Sequence, residues 1–451
     1  MPENLSSSAD AESETVDKTR PRFAPVAALE RVTSVDVIRG VALLGILGMN
    51  IYAFALPWVA YNNPLSYGAA TGIHFGTWVF THLFFDLKFM AIFSMLFGAG
   101  LVLMNQRAEA VGRKFGGIYY RRMLWLLLIG AAHAYLLWFG DILFFYAVCG
   151  LVLYPLRRRS PRLLIILGIV LLIIGMSIQI GGGMFFGFAR EQAAGAEAAI
   201  AAGETPDELQ SQMKKTWDEI NNQWDPPPEK LAEDLAAHRG SYGETLANRV
   251  PMVVMMQLQA LPFMFFWRIA GMMLLGMGLM KLGVFAAQRS RRFYLSWAII
   301  GYALGLALVY VGIKQNMAHE FDFVFAWQSG NNFNYIGSLL VAMGHISTVM
   351  LICRSGIFAG LLRRLGAVGQ MALTNYLLHT ILLTPVFYGF GLGLYGSIDR
   401  FWLMGFVLGM WILQLIVSPI WLKHFRFGPA EWLWRTLTYG RRQPMRAGAE
   451  S

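Results

Sequence analysis

His133 and Asp141 stand eight positions apart inside the otherwise apolar run 121–155. Ionisable side chains at membrane depth are costly and mark functional sites by default, so the chemistry to consider first is proton transfer. An imidazole is the usual base near neutral pH, and a carboxylate can orient it. A straight helix over this run would be about 50 Å long, against a hydrocarbon core of ~30 Å. The run must therefore fold back. Gly140-Asp141 is its turn signal, which predicts two short membrane helices joined by a tight hairpin. Each arm of ~16 residues spans roughly 24 Å, so the turn is recessed below the membrane surface. His133 lies two helical turns before Asp141, where both can face one cavity.

Other polar residues at membrane depth carry two readings each. Asp36 and Arg39, at i,i+3, form an ion pair at the headgroups, and Arg39 is either an orientation anchor or a phosphate contact. Asn50 follows about 16 Å deeper and is either an interhelical clamp or part of a site. Lys88 enters the second span directly after Asp86-Leu87, from the side poor in basic residues. It either snorkels outward or neutralises Asp86 or Asp141. Arg268 can bind an anionic group or snorkel. Asn375 and His379, at i,i+4, share a face in the ninth span, where they contact a substrate or clamp a neighbouring helix. His74 and His82, in the loop 57–82, are solvated on the simplest reading. Cys149 and Cys353 fall in apolar segments and support neither a disulfide framework nor a zinc site. No Walker loop, GxGxxG turn, HExxH or GxSxG elbow occurs.

The elements that must position these residues are membrane helices. Of 451 residues, 56% are apolar, 14% aromatic and 14% charged, the composition of a polytopic membrane protein with little soluble mass. Ten apolar spans are read at 35–56, 83–104, 123–139, 142–156, 163–181, 262–280, 293–313, 335–352, 365–390 and 401–422. Basic residues concentrate in alternate connections, among them Arg113, Lys114, Arg121 and Arg122, then Arg157, Arg158 and Arg159, then Arg289, Arg291 and Arg292. That alternation orients the bundle with both termini cytoplasmic and accounts for the formal charge of +10 without nucleic acid.

Residues 1–30 are expected to be a disordered cytoplasmic tail. They precede helices 1–5 (31–182), an extracytoplasmic helical insertion (183–250), helices 6–10 (251–424) and an interfacial helix with tail (425–451). The insertion holds twelve acids against six bases, has helical stretches near 193–202 and 206–221, and is expected to cap the outer face. Met-rich 250–266 is expected to lie along the membrane before the sixth span. The fold class is thus an all-α helix bundle.

The chain resembles the YeiB-like family of bacterial inner-membrane proteins from about Arg31 to Gly440, outside the insertion. The resemblance rests on Asp36, Arg39, Gly40, Gly45 and Asn50, then Lys88-Phe89, Phe93-Ser94 and Phe97-Gly98-Ala99-Gly100. It continues with His133, Trp138, Gly140-Asp141-Ile142-Leu143, Tyr146, Gly369, Met371 to Leu378, Gly428-Pro429 and Glu431-Trp432-Leu433-Trp434-Arg435. Gln370 stands where the family usually has Arg, and His379 where Gln is common. The first helix also resembles that of the heparan-glucosaminide acetyltransferases. This implies membership of a wider group that moves an acyl group from cytoplasmic acyl-CoA to an acceptor across the membrane. On that resemblance His133 is the base oriented by Asp141, with His82 and His74 as alternatives. Asn50 and Lys88 hold the oxyanion beside Asp86, Arg39 with Asp36 meets the CoA phosphate, and His379, Asn375 and Arg268 meet the acceptor. The implied partners are the lipid bilayer and a small-molecule, glycan or lipid acceptor, with a homo-oligomer compatible and no metal needed. The implied location is the bacterial inner membrane. The rival reading is a proton-coupled transporter relaying through Lys88, His133 and Asp141.

Overall fold

The computed structural model describes residues 33–446, so the tail expected over residues 1–30, with Arg31, lies outside the described residues. The helices are α1 (Thr33–Ala55), α2 (Val59–Asn62), α3 (Gly72–Phe84), α4 (Lys88–Ala110), α5 (Gly116–Ala132) and α6 (Leu143–Leu153). They continue with α7 (Pro161–Ala201), α8 (Glu208–Trp224), α9 (Pro228–Arg239), α10 (Tyr242–Met255), α11 (Phe266–Lys281) and α12 (Arg291–Ala318). The last are α13 (Phe323–Phe325), α14 (Asn331–Ser355), α15 (Ala359–Gln370), α16 (Ala372–Phe387), α17 (Arg400–His424) and α18 (Pro429–Tyr439). Among the described residues the β pairing is one isolated bridge, Phe425 to Arg446.

Seven helical stretches are long and apolar enough to cross a membrane: Thr33–Ala55, Gly72–Ala110, Pro161–Ala201, Tyr242–Lys281, Arg291–Ala318, Phe323–Ser355 and Arg400–His424. The other three spans read from the sequence are α5, α6 and α16, apolar but shorter. The chain is an all-α, multi-pass membrane bundle. Burial separates its centre from its rim: 78% of the apolar window of α1 is buried, against 22% for α7. α1 is therefore the central helix, and α7 turns most of its apolar surface to lipid.

Close crossings depend on missing side chains. A Cβ on Gly40 would strike the Leu365 carbonyl, and one on Gly369 the Asp36 carbonyl, so α1 and α15 meet backbone to backbone. Gly98 and Gly276 do the same for α4 and α11, against the carbonyls of Met273 and Met95. Gly45 and Gly48 instead make room for the rings of Phe89 and Phe85.

Several stretches differ from the sequence reading: the loop read over 57–82 holds α2 and most of α3, and the helical stretch read near 193–202 is the end of α7. Span 83–104 is broken at Leu87, whose φ of 61° ends α3 and lets α4 start at a new angle. Span 365–390 is divided at Met371, where the Glu431 carboxylate takes the N–H groups of Leu373 and Thr374 at the start of α16. The segment 250–266 does not lie apart from the sixth span. It runs from α10 into α11 through a π-helical stretch, Met256–Phe265, whose wider turns accommodate Pro262.

α7 runs unbroken for 41 residues, about 60 Å, so it projects well past the hydrocarbon. α8 folds back along it, with Lys214 bonded to Glu197 at 2.9 Å. The cap then leans on the bundle. Arg239 donates to the Tyr395 carbonyl at 2.7 Å, and Tyr242 donates to the Leu136 carbonyl at 2.7 Å, three residues past His133.

Candidate functional site

The hairpin forms where the sequence places it, and its turn assembles the site. α5 passes at His133 into a single π turn, Trp138 N–H bonding the His133 carbonyl at 2.9 Å, and α6 begins at Leu143. His133 Nδ1 lies 2.9 Å from Asp141 Oδ1, and Phe144 N–H donates to Asp141 Oδ2 at 2.7 Å. The second ring nitrogen, Nε2, lies 2.9 Å from Thr380 Oγ1 on α16. An ionised carboxylate only accepts, which puts the proton of a neutral ring on Nδ1 and leaves Nε2 to accept the Thr380 hydroxyl. Thr380, His133 and Asp141 thus form a hydroxyl–imidazole–carboxylate line. It is dry: the His133 and Asp141 side chains are 1% and 2% exposed. Tyr376, one turn before Thr380, accepts from Ile142 N–H and donates to the Gly140 carbonyl, both at 3.3 Å, pinning the turn.

A cavity of about 270 Å³ climbs to this turn from the arginine-rich side. Its mouth on that side is lined by Asp36, Arg39, Arg107, Arg122, Glu431 and Arg435, and its deep end by Ile46, Phe93, Ile142, Tyr146 and Tyr376. Arg39 bonds Asp36 at 2.7 Å. Arg122 lies over the Trp434 ring at 3.6 Å, within the field of Arg435 and Arg39, and its buried Nε has no partner among the described residues. Glu431 is engaged elsewhere, accepting from Leu373, Thr374 N–H and the Thr374 hydroxyl. The mouth is therefore cationic and the shaft apolar.

Asn50 belongs to the same face of α1. Ile46, Asn50 and Phe54 recur every fourth residue. Ile46 lines the cavity and Phe54 stacks on Trp138 at 4.0 Å, and helical spacing sets half-buried Asn50 on the stretch of α1 between them.

Lys88 and Asp86 are not brought to His133. The buried Lys88 ammonium donates to the His82 carbonyl at 2.6 Å and to Asn334 Oδ1 at 2.7 Å, and Asn334 Nδ2 donates to Asp86 Oδ2 at 2.7 Å. Tyr61 and His82 approach the same carboxylate, at 3.3 and 3.4 Å. This is a second polar network, and among the described residues no hydrogen bond joins it to the hairpin. The grouping of Lys88 and Asp86 with His133 and Asp141 is thereby corrected. The break at Leu87 turns their side chains toward α14, a rotation that helical spacing does not report.

Arg268 does not snorkel: it is buried, donates to the Tyr335 carbonyl at 3.1 Å and Ser338 Oγ at 2.6 Å, and covers the Tyr335 ring. Asn375 and His379 face α17, bonding Ser418 Oγ at 3.0 Å and Gln414 Oε1 at 3.2 Å, away from the cavity. His74 lies at the outer end beside Asp399, 4.0 Å away. Among the described residues no cluster of three or more His, Cys, Asp or Glu could hold a metal ion. Sequence reasoning missed Tyr376 and Thr380, although they form an i,i+4 pair one residue on from Asn375 and His379, rotated by one helical step toward the hairpin.

Over 422 residues the chain is 34% identical to YeiB of Escherichia coli strain K12, an alignment covering 91% of this chain and 97% of that protein. The chain belongs to the YeiB-like family. It is also similar to YxaH of Bacillus subtilis strain 168, 28% identical over 446 residues, with 93% of this chain and 97% of that one covered. A 39.9 kDa protein in the amylase 3′ region of Bacillus acidopullulyticus is 26% identical over 428 residues, covering 93% and 97%. Residues 279–441 match the family model described as a protein of unknown function, DUF418. In this YeiB-like chain that stretch supplies Tyr376, Thr380, Glu431 and Arg435, while the hairpin precedes it. No solved structure matches.

Proposed function

We propose that this YeiB-like protein is an inner-membrane acyltransferase that takes its acyl group from cytoplasmic acyl-CoA and passes it to an acceptor reaching the hairpin from the opposite side. The observation that carries the reading is the cavity itself, a cationic mouth joined to an apolar shaft that ends at the Tyr376–Ile142 contact behind His133. That shape suits a donor with phosphates at one end and an acyl thioester at the other. Arg39, Arg122 and Arg435 would meet the phosphates, and the buried Nε of Arg122, without a partner among the described residues, leaves one donor for them. The shaft would exclude water from the thioester.

The reaction follows from the ring nitrogens. His133 Nε2 removes the proton from the acceptor hydroxyl or amine, and the Thr380 hydroxyl occupies that position in the resting structure. Asp141 fixes the tautomer and stabilises the imidazolium while the acceptor adds to the carbonyl. In this reading the Asn50 amide donates to the oxyanion. Expulsion of the thiolate takes the proton back from His133. The cap resting on Leu136 and Tyr135 is the surface an acceptor would pass. A proton relay through Lys88, His133 and Asp141 has less support, because Lys88 sits in the separate network.

The test is acyl-CoA binding and turnover by the purified protein in lipid nanodiscs. Wild type should bind saturably and turn over. His133→Ala and Asp141→Asn should keep binding but lose roughly 10²-fold or more in rate. A folded wild type that binds no acyl-CoA would sink the proposal.

A further inference from the structure

A second cavity, of about 630 Å³, opens on the same arginine-rich side. It lies between the α4–α5 turn and the 3₁₀ turn Tyr154–Arg158 that follows α6. The helix α4 separates it from the donor cavity: Met104 and Arg107 face one, Asn105 and Glu109 the other. Four cations and one carboxylate line it, and the carboxylate is committed, since Arg158 Nε bonds Glu109 at 2.7 Å. Arg157 is held in place. Its Nε donates to Asn105 Oδ1 at 2.9 Å, Nη1 donates to the Tyr154 carbonyl at 3.0 Å, and the guanidinium lies 3.8 Å over the Tyr154 ring. That leaves one edge of the fork, Nη2, without an acceptor among the described residues. Half-buried Arg113 has no side-chain hydrogen bond or ion pair among the described residues either. Gly117 lines the groove, and a side chain added there would meet open space.

We propose that this groove binds the phosphate of an anionic phospholipid. A phosphate is the group that a pre-set guanidinium and unpaired cations recognise, and free phosphate shares that chemistry. What favours the lipid is the surface next to the groove. Tyr120, whose ring meets Tyr154 at 5.0 Å, begins an exposed stripe on α5 with Leu124 and Leu128, and Val152 on α6 is exposed beside it. This apolar stripe leads from the groove along the hydrocarbon depth, where the chains of a bound phospholipid would lie. The headgroup thereby clamps the cytoplasmic ends of both hairpin arms, α5 and α6.

The probes are dioctanoyl phosphatidylglycerol, dioctanoyl phosphatidylcholine and inorganic phosphate, titrated by microscale thermophoresis onto the full chain in neutral detergent. Phosphatidylglycerol should bind saturably and phosphatidylcholine should not. The double variant Arg113→Gln/Arg157→Gln should weaken binding roughly tenfold or more, since each surface cation contributes about 1 kcal/mol to anionic lipid. Gly117→Trp, which fills the groove and leaves every charge in place, should weaken it as well and covers the case in which the double variant fails to fold. Arg291→Gln, on another arginine-rich turn, should leave it unchanged. Equal weakening by Arg291→Gln, equal binding of phosphatidylcholine, or no saturable binding would overturn the proposal. Inorganic phosphate binding as tightly as the lipid would overturn the lipid assignment in favour of a soluble phosphate.

Discussion

Both ring nitrogens of His133 are engaged, one by a carboxylate and the other by a hydroxyl, and the proposed role as base rests on that pair of contacts. At the other end of the shaft Arg122 differs from the arginines that merely orient the bundle. Its guanidinium is stacked on Trp434 among like charges, and one donor is buried and unused. Such an arrangement is costly until an anion arrives. Arg122→Gln is therefore expected to raise the donor dissociation constant roughly tenfold, the loss of one charged hydrogen bond, with a smaller effect on the rate of the bound complex. Equal losses in binding and rate would place Arg122 in the chemistry instead. At this scale the sequence was informative about types and poor about partners. It marked His133 and Asp141 as a pair, yet gave no indication that Lys88 would turn to Asn334 or that Thr380 would complete the line.

Helix ends and crossings set the geometry of both networks. α4 and α11 approach so closely at Gly98 and Gly276 that each glycine faces a carbonyl of the other helix. Gly98→Val should cost about 1–3 kcal/mol and lower the thermal midpoint in detergent, because the helices must separate to admit the side chain. A variant as stable as wild type would show that the crossing relaxes freely. α18 is held differently, through Glu431, which receives three hydrogen bonds from the start of α16. Burial pushes its carboxyl above the ordinary value of 4.5, against those bonds. The folded state thus holds this proton more tightly than the unfolded chain. Its contribution to stability is complete below about pH 4.5 and is lost as pH rises through the raised value. Compared with Glu431→Gln, wild type should gain thermal stability as pH falls from 7 toward 4.5. A gain on raising the pH would mean that α18 docks on the ionised carboxylate. The sequence announced α18 by its aromatic residues and its i,i+4 Glu431 and Arg435, but the division of the ninth span at Met371 depends on this carboxylate arriving from 57 and 58 positions away.

For the whole molecule, the charge bias and the projecting α7 make one testable statement about orientation. A cysteine replacing Gly203, at the tip of the cap, should react with an impermeant maleimide added outside intact cells. One replacing Gln288, in the arginine-rich turn before α12, should react only after the cells are opened. The reverse pattern would invert the bundle and move the cavity proposed for the donor to the wrong compartment. Two of the ten apolar spans read from the chain are divided in the fold, whereas the all-α membrane class and the hairpin at Gly140-Asp141 were legible from the chain alone. They depend on hydrophobic length, charge alternation and turn residues, all of which are local in sequence. Which helix is central, where the cavity runs and which polar groups meet were decided only by tertiary structure. Rotation of each helix about its axis is fixed by close glycine crossings and by contacts between residues as far apart as His133 and Thr380, and no local pattern encodes that angle.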